Sequence, residues 1–147
     1  MHILVSPYLH SDRLLEKFPL SSKILIVEDN PDTRDLLALY LRKAGFLVVI
    51  AVDGQEGLSM AKAEKPDAIL TDLMMPNLDG LEMVRRLRSD ADTARIPIVI
   101  ATAHGKLLDE RFTGADQVIL KPFDLNHLAR TIKEMILQSL IKQRLDS

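Results

Sequence analysis

The stretch Asp67-Ala68-Ile69-Leu70-Thr71-Asp72-Leu73-Met74-Met75-Pro76 joins an apolar run of strand length to a single carboxylate, and the turn-prone Asn77-Leu78-Asp79-Gly80 follows at once. Asp72 therefore stands at the mouth of a strand. Taken alone it is no more than a strand-ending turn residue, but the same grammar recurs on both sides of it. Upstream, Ile24-Leu25-Ile26-Val27 is a continuous aliphatic run, as a strand buried on both faces requires, and it ends in Glu28-Asp29-Asn30-Pro31. Asn30 can cap a helix and Pro31 can fill its first position; the stripe Leu37, Tyr40, Leu41, Ala44 has helical spacing, and Gly45 stops it. Phe46 to Val52 reads as a second strand, and Asp53-Gly54 opens a helix through Leu58, Ala61 and Lys62 that ends before Pro66. Downstream, Asp79 with Glu82 has the spacing of a capping box for a helix carrying Leu81, Val84 and Leu87. Ile96 to Ala101 is a fourth strand, with Pro97 tolerable at its start, and Val118-Ile119-Leu120 is a short fifth. A final helix runs from about Asp124 to about Arg144, with Leu125, Leu128, Ile132, Met135 and Leu140 on its buried side.

Short apolar strands alternating with helices imply a parallel sheet with right-handed crossovers and helices on both faces. Every strand then ends on one edge, the place where open α/β sheets bind ligands. That edge collects Glu28 and Asp29 from the first strand, Asp72 from the third, Thr102 from the fourth and Lys121 from the fifth.

Composition narrows the chemistry available there. A chain of 147 residues, 47% hydrophobic and 27% charged, has the balance and length of one globular domain. Residues 1–22 have weak periodicity between Pro7 and Pro19 and read as an N-terminal extension; residues 23–147 read as the domain. The net charge of -2 provides no electrostatic attraction for nucleic acid or an anionic membrane. The absence of cysteine excludes disulfides, thiolate catalysis and thiolate-bound zinc. No apolar run has bilayer-spanning length and the first residues lack a secretory signal pattern, so the expected location is cytoplasmic.

Three carboxylates converging without a cation repel one another by ~4 kcal/mol per pair at ~4 Å and an effective dielectric of ~20. Hard oxygen donors, with neither cysteine nor converging histidines, point to Mg²⁺ or Mn²⁺. Such an ion keeps several waters and takes further ligands from phosphate, so the edge reads as a phosphoryl-transfer site. Asp72, central among the strand ends, is the candidate nucleophile; Lys121 offers a point charge and Thr102 a hydroxyl donor to phosphoryl oxygens. Each residue has a plainer reading by itself: first-turn acids for Glu28 and Asp29, a strand end for Thr102, a loop for Lys121. Their conjunction at the ends of four strands is what favours the chemical one.

At these residues the chain resembles the response regulator receiver domain. The resemblance rests on Ile24-Leu25-Ile26-Val27-Glu28-Asp29-Asn30, on Asp72-Leu73-Met74-Met75-Pro76 with Asp79-Gly80, on Ala101-Thr102-Ala103 and on Lys121-Pro122-Phe123, over about residues 23–143. It implies a flavodoxin-like doubly wound sheet of five parallel strands in the order 2-1-3-4-5. It implies that Asp72 accepts a phosphoryl group from a histidine kinase or histidine phosphotransfer protein, with Thr102 and Lys121 assisting. It implies that Glu28, Asp29, Asp72 and the backbone carbonyl of Met74 hold Mg²⁺, and that the Lys121-Pro122 bond is cis. The expected role is a stand-alone phosphorylation switch read by a downstream protein, not an enzyme beyond self-phosphorylation from a phosphodonor and slow autodephosphorylation.

Two departures bear on output. The family usually carries Tyr or Phe three residues before its lysine, where this chain has Val118. The interval from Thr102 to Lys121 is roughly one helical turn short, so the fourth helix, near Leu107 to Thr113, is expected to be stunted or irregular. Output is therefore expected through the loops after the third and fourth strands or through the first helix, unless a dimer forms through the final helix. Met74 and His104, two residues beyond Asp72 and Thr102, flank the path of attacking water and are expected to obstruct it and lengthen the phosphoryl lifetime, unless neutral His104 orients that water as a base or is only an exposed loop residue. A phosphorylation-independent docking module is the rival within the fold. A flavodoxin-like FMN protein is the rival outside it, weakened because Glu28-Asp29 stands where a phosphate cradle needs glycine and hydroxyl groups. An aspartyl-phosphate hydrolase is weaker still, since Met74 occupies the position of its second Asp.

Overall fold

β1 (Lys23–Val27), β2 (Leu47–Ala51), β3 (Ala68–Thr71), β4 (Ile98–Thr102) and β5 (Gln117–Leu120) form one sheet in the order β2-β1-β3-β4-β5 in this computed structural model. All four pairings are parallel, and the register sets Ile24 beside Val48 and Ala68, and Val99 beside Gln117. The structure describes residues 22–75, 77–103 and 114–146. Four helices lie among them: α1 (Pro31–Lys43), α2 (Gly54–Glu64), α3 (Gly80–Ser89) and α4 (Leu125–Asp146). The helix expected near 107–113 and all of the extension over residues 1–22 except Ser22 fall outside the described residues, so α4 is the C-terminal helix.

Strand side chains alternate between the two faces, which splits the core into two layers. Ile24, Ile26, Leu70, Val99 and Ala101 pack with Leu37 and Leu41 of α1 and with Leu128, Ile132 and Met135 of α4. Leu25, Val27, Ile69, Ile98 and Ile100 pack with Ala61 of α2 and with Met83, Val84 and Leu87 of α3. Helices thus cover both faces, as the uninterrupted aliphatic strands require, and burying each such side chain contributes about 1.5–3 kcal/mol. The helix starts follow local chemistry: Asn30, Asp53 and Asp79 accept the amides of Thr33, Glu56 and Glu82 at the N-caps of α1, α2 and α3. The Lys121-Pro122 bond is cis.

The structure defines the buried face of each helix, where the sequence assigned a buried side only to the final one. In α2 the residues against the sheet are Gly54, Gly57 and Ala61, while Lys62 is exposed and pairs with Asp90 at 2.7 Å. The helix approaches β1 so closely that a Cβ on Gly57 would lie 3.1 Å from Val27 Cγ2. In α3, Gly80 and Met83 join Val84 and Leu87 in the core and Leu81 is 38% exposed, because the buried face is rotated by one position. In α4 the buried set is Leu128, Ala129, Ile132, Met135 and Ile136. Leu140 has reached the turns at Pro66-Asp67 and Ile96-Pro97, at the end of the sheet, and is 41% exposed.

Gly80 joins packing to the strand edge. Its amide donates to the carbonyl of Leu73 at 2.8 Å, and a Cβ on it would stand 2.3 Å from the carbonyl oxygen of Asp72. Backbone cannot swing aside as a side chain does, so Gly80→Ala is expected to cost about 1–3 kcal/mol of stability. Urea denaturation measures this; an unchanged midpoint would show that the approach is looser than described.

Candidate functional site

The last rungs of the sheet gather the candidate residues. The Glu28 amide donates to the carbonyl of Ala51 (3.1 Å), the Asp72 amide to that of Val27 (3.2 Å) and the Lys121 amide to that of Thr102 (2.8 Å). Glu28, Asp72 and Lys121 thus leave the backbone one residue beyond a strand end, Thr102 at the end itself and Asp29 two residues beyond. The β1–α1 loop is further held by Arg34, whose guanidinium donates to the Glu28 carbonyl at 3.1 Å.

The result is the acidic cluster expected at this edge. Glu28, Asp29 and Asp72 present one carboxylate oxygen apiece within 4.8 Å of one another. Glu28 is buried at 3% exposure, Asp29 is exposed, and Asp72 lies between. Lys121 reaches in from the end of β5, with Nζ 3.3 Å from Asp72 Oδ2 and 3.6 Å from Glu28 Oε1. The other Asp72 oxygen, Oδ1, accepts the Leu73 amide at 2.6 Å, so this carboxylate is oriented from both sides. Thr102 is fully buried at the end of β4, between the strands that carry Asp72 and Lys121.

One lysine facing three carboxylates leaves the cluster under-neutralised. Burial raises the pKa of Glu28 above its ordinary 4.5; the Asp72 charge raises it further, and Lys121 only partly offsets this. Glu28 Oε2 is buried and accepts no hydrogen bond, an arrangement that ordinarily costs about 1–3 kcal/mol. A hard divalent cation would satisfy both the charge and the orphaned oxygen, and the all-oxygen donor set suits one. Met74, expected to add its carbonyl, follows Asp72 by two residues, and its side chain is 62% exposed.

The structure therefore brings together Glu28, Asp29, Asp72 and Lys121 and sets Thr102 beside them. His104 lies outside the described residues. Val118 is partly buried, packs with the α2 and α3 layer and pairs with Ile100. Sequence reasoning missed two supports. Arg34, six residues past Glu28, carries a weak signal as a basic residue in the first turn of α1, where the helix dipole disfavours a cation. The hydrogen bond from Asn77 to Asp53 spans 24 residues and has no local signature.

The comparisons with known proteins agree with this geometry. The sequence profile of the response regulator receiver domain matches residues 24–133. The protein PilH of Pseudomonas aeruginosa is 36% identical over 118 residues, which cover 78% of this chain and 98% of PilH. The DNA-binding dual master transcriptional regulator RpaA of Synechocystis is 39% identical over 117 residues, covering 78% of this chain but 48% of RpaA. The chain spans about half the length of several curated relatives. Among solved structures, the receiver domain of a Pseudomonas aeruginosa sensor histidine kinase, with a magnesium ion coordinated in its active site cleft, superposes with a TM-score of 0.73 at 32% identity. That superposition covers 79% of this chain and 98% of the other. With the fold, the acidic edge and these matches in agreement, the chain belongs to the response regulator receiver domain family of two-component signalling.

Proposed function

We propose that the chain is a phosphorylation switch in which Asp72 accepts a phosphoryl group from a histidine kinase or a histidine phosphotransfer protein. The observation that carries this reading is the bridging of Asp72 and Glu28 by Lys121 beside the orphaned Glu28 oxygen. A carboxylate with an adjacent lysine and an unmet demand for a cation is a site prepared for an incoming phosphoryl group.

In the transfer an Asp72 oxygen bonds to phosphorus as the phosphorus–nitrogen bond of phosphohistidine breaks, and the departing imidazole keeps the bonding pair and takes up a proton. Glu28, Asp29, Asp72 and the Met74 carbonyl would hold Mg²⁺ or Mn²⁺, which would supply countercharge to the carboxylate and phosphoryl oxygens. Lys121 exchanges its contact with Asp72 for the phosphoryl oxygens, and the Thr102 hydroxyl donates to one of them. This chain's own chemistry is limited to self-phosphorylation from a donor and slow hydrolysis of the aspartyl phosphate. PilH, matched over 98% of its length, supports a switch that works through the receiver domain itself, and we read its output as a downstream protein. Among the described residues no helix is long and apolar enough to cross a membrane. A cytoplasmic location accords with that.

Acetyl phosphate or phosphoramidate with Mg²⁺ is expected to label the protein once, and Asp72→Asn to abolish the product on Phos-tag gels. Labelling of that variant at the wild-type rate would remove Asp72 from its role.

The acidic cluster also sets a pH dependence. Because the folded-state pKa of Glu28 lies above its ordinary 4.5, the native protein holds that proton more tightly than the unfolded chain. Its contribution to stability is therefore fullest at and below pH 4.5 and is lost as pH rises through the raised value. Asp53, Glu82 and Asp90, whose pKa values hydrogen bonds lower, act in the opposite sense at lower pH. Without metal, Glu28→Gln is expected to be more stable than the wild type at pH 7, with the gap closing toward pH 4.5. Urea titrations at several pH values test it; parallel profiles would show that Glu28 carries no penalty.

Output is expected to bypass β5, since Val118 lacks the reach to fill space vacated by a moving threonine. With a beryllofluoride phosphoryl mimic, amide shifts should concentrate after β3 and β4. Large shifts along Val118 to Leu120 and into α4 would show that the switch works without an aromatic there.

A further inference from the structure

The loop that leaves Asp72 is fastened to a helix that contributes nothing to the acidic cluster. Asp53, the N-cap of α2, uses both carboxylate oxygens: Oδ1 accepts the Glu56 amide and Oδ2 accepts the Asn77 side-chain amide, each at 2.8 Å. Asn77 holds a left-handed backbone, φ 68, which only glycine and, among side-chain residues, chiefly Asn and Asp adopt at low cost. The next residue, Leu78, is buried, and its carbonyl lies where a Cβ on Gly54 would stand 2.2 Å away. At its far end the loop closes through the Gly80 amide on the Leu73 carbonyl. The short span between these anchors carries Met74.

We infer that Asp53 and Asn77 are positioning residues for the cation site, a latch that holds the loop after Asp72 so that the Met74 carbonyl stays with the three carboxylates. The inference rests on the proposed metal site but concerns residues outside it. Neither Asp53 nor Asn77 belongs to the acidic cluster. Both are polar and solvent-accessible, so burial does not account for their pairing. The Asp53–Asn77 bond uses no group of the acidic cluster, so it can shape the loop during folding, where the ordering cost is then met rather than in binding. Supports of this kind around a metal site typically change affinity by 10–100-fold when removed.

Three variants separate the parts. Asn77→Gly keeps access to the left-handed backbone and removes the amide. Asp53→Ser keeps an N-cap for the Glu56 amide and removes the second acceptor. The double variant tests whether the two act as one unit. Mn²⁺ affinity, read by water-proton relaxation with Mg²⁺ competition well below the melting temperature, is expected to fall about 10-fold in each single variant and no further in the double. Urea midpoints measured alongside detect any general loss of structure. Wild-type Mn²⁺ affinity in both single variants, whatever their midpoints, would overturn the latch and leave the metal site standing. A wild-type protein that binds no Mn²⁺ would instead overturn the metal site, and the latch with it. Independent losses that add in the double variant would show two separate supports and overturn the coupling.

Discussion

Backbone hydrogen bonding forces like charges together at one edge of this sheet. The rung from the Asp72 amide to the Val27 carbonyl and the rung from the Glu28 amide to the Ala51 carbonyl fix where β1 and β3 end, and the carboxylates follow the backbone. Neither can retreat without loss of ladder bonds and of the aliphatic burial beneath them. The repulsion is therefore borne by the fold and partly relieved by Lys121. A bound cation would relieve it further and would offset the negative charge that a phosphoryl group adds, so the affinity of the site for a cation originates in what folding leaves uncompensated.

The two ends of the strands are held by different contacts. At the acidic edge Lys121 makes two contacts at 3.3 and 3.6 Å, longer than optimal charge-assisted hydrogen bonds. At the opposite end of the strands Arg88 of α3 donates to the carbonyls of Ala94, Ile96 and Gly114 and pairs with Asp116, whose carboxylate also takes the Ile98 amide. The planar guanidinium satisfies four acceptors at once, which an ammonium with three donors cannot do. β4 and β5 therefore enter the sheet from a common anchor, whatever form the chain takes between them.

The two helical layers divide the work in the same way. α1 and α4 share one face, joined by the hydrogen bond from the Tyr40 hydroxyl to Asn126, and α2 and α3 share the other. α2 and α3 lie close to the loop after Asp72 because Gly54 and Gly80 carry no Cβ at the two contacts. Small residues there are a condition for the geometry of the site as much as for packing.

Much of this was legible in the order of residues. Runs such as Ile24-Leu25-Ile26-Val27 and Ala68-Ile69-Leu70, bounded by turn residues, read as buried strands. Asn30-Pro31, Asp53-Gly54 and Asp79 with Glu82 announce helix starts because the capping bond is local. Once the strands are parallel, all their ends share an edge, so the meeting of Glu28, Asp29, Asp72, Thr102 and Lys121 follows from topology alone. Helix faces were less legible: in α2 and α3 glycines took core positions that a hydropathy pattern assigns to leucine, since close approach rewards the absence of a side chain. The end of the buried face of α4 depended on where the sheet stops, which no residue of that helix encodes. What only the tertiary structure decided are the bonds between distant segments: Asn77 to Asp53, Arg88 to Asp116, and the unpaired Glu28 oxygen. Periodicity and capping act over a few residues, whereas these contacts depend on the packed distances between elements far apart in the chain.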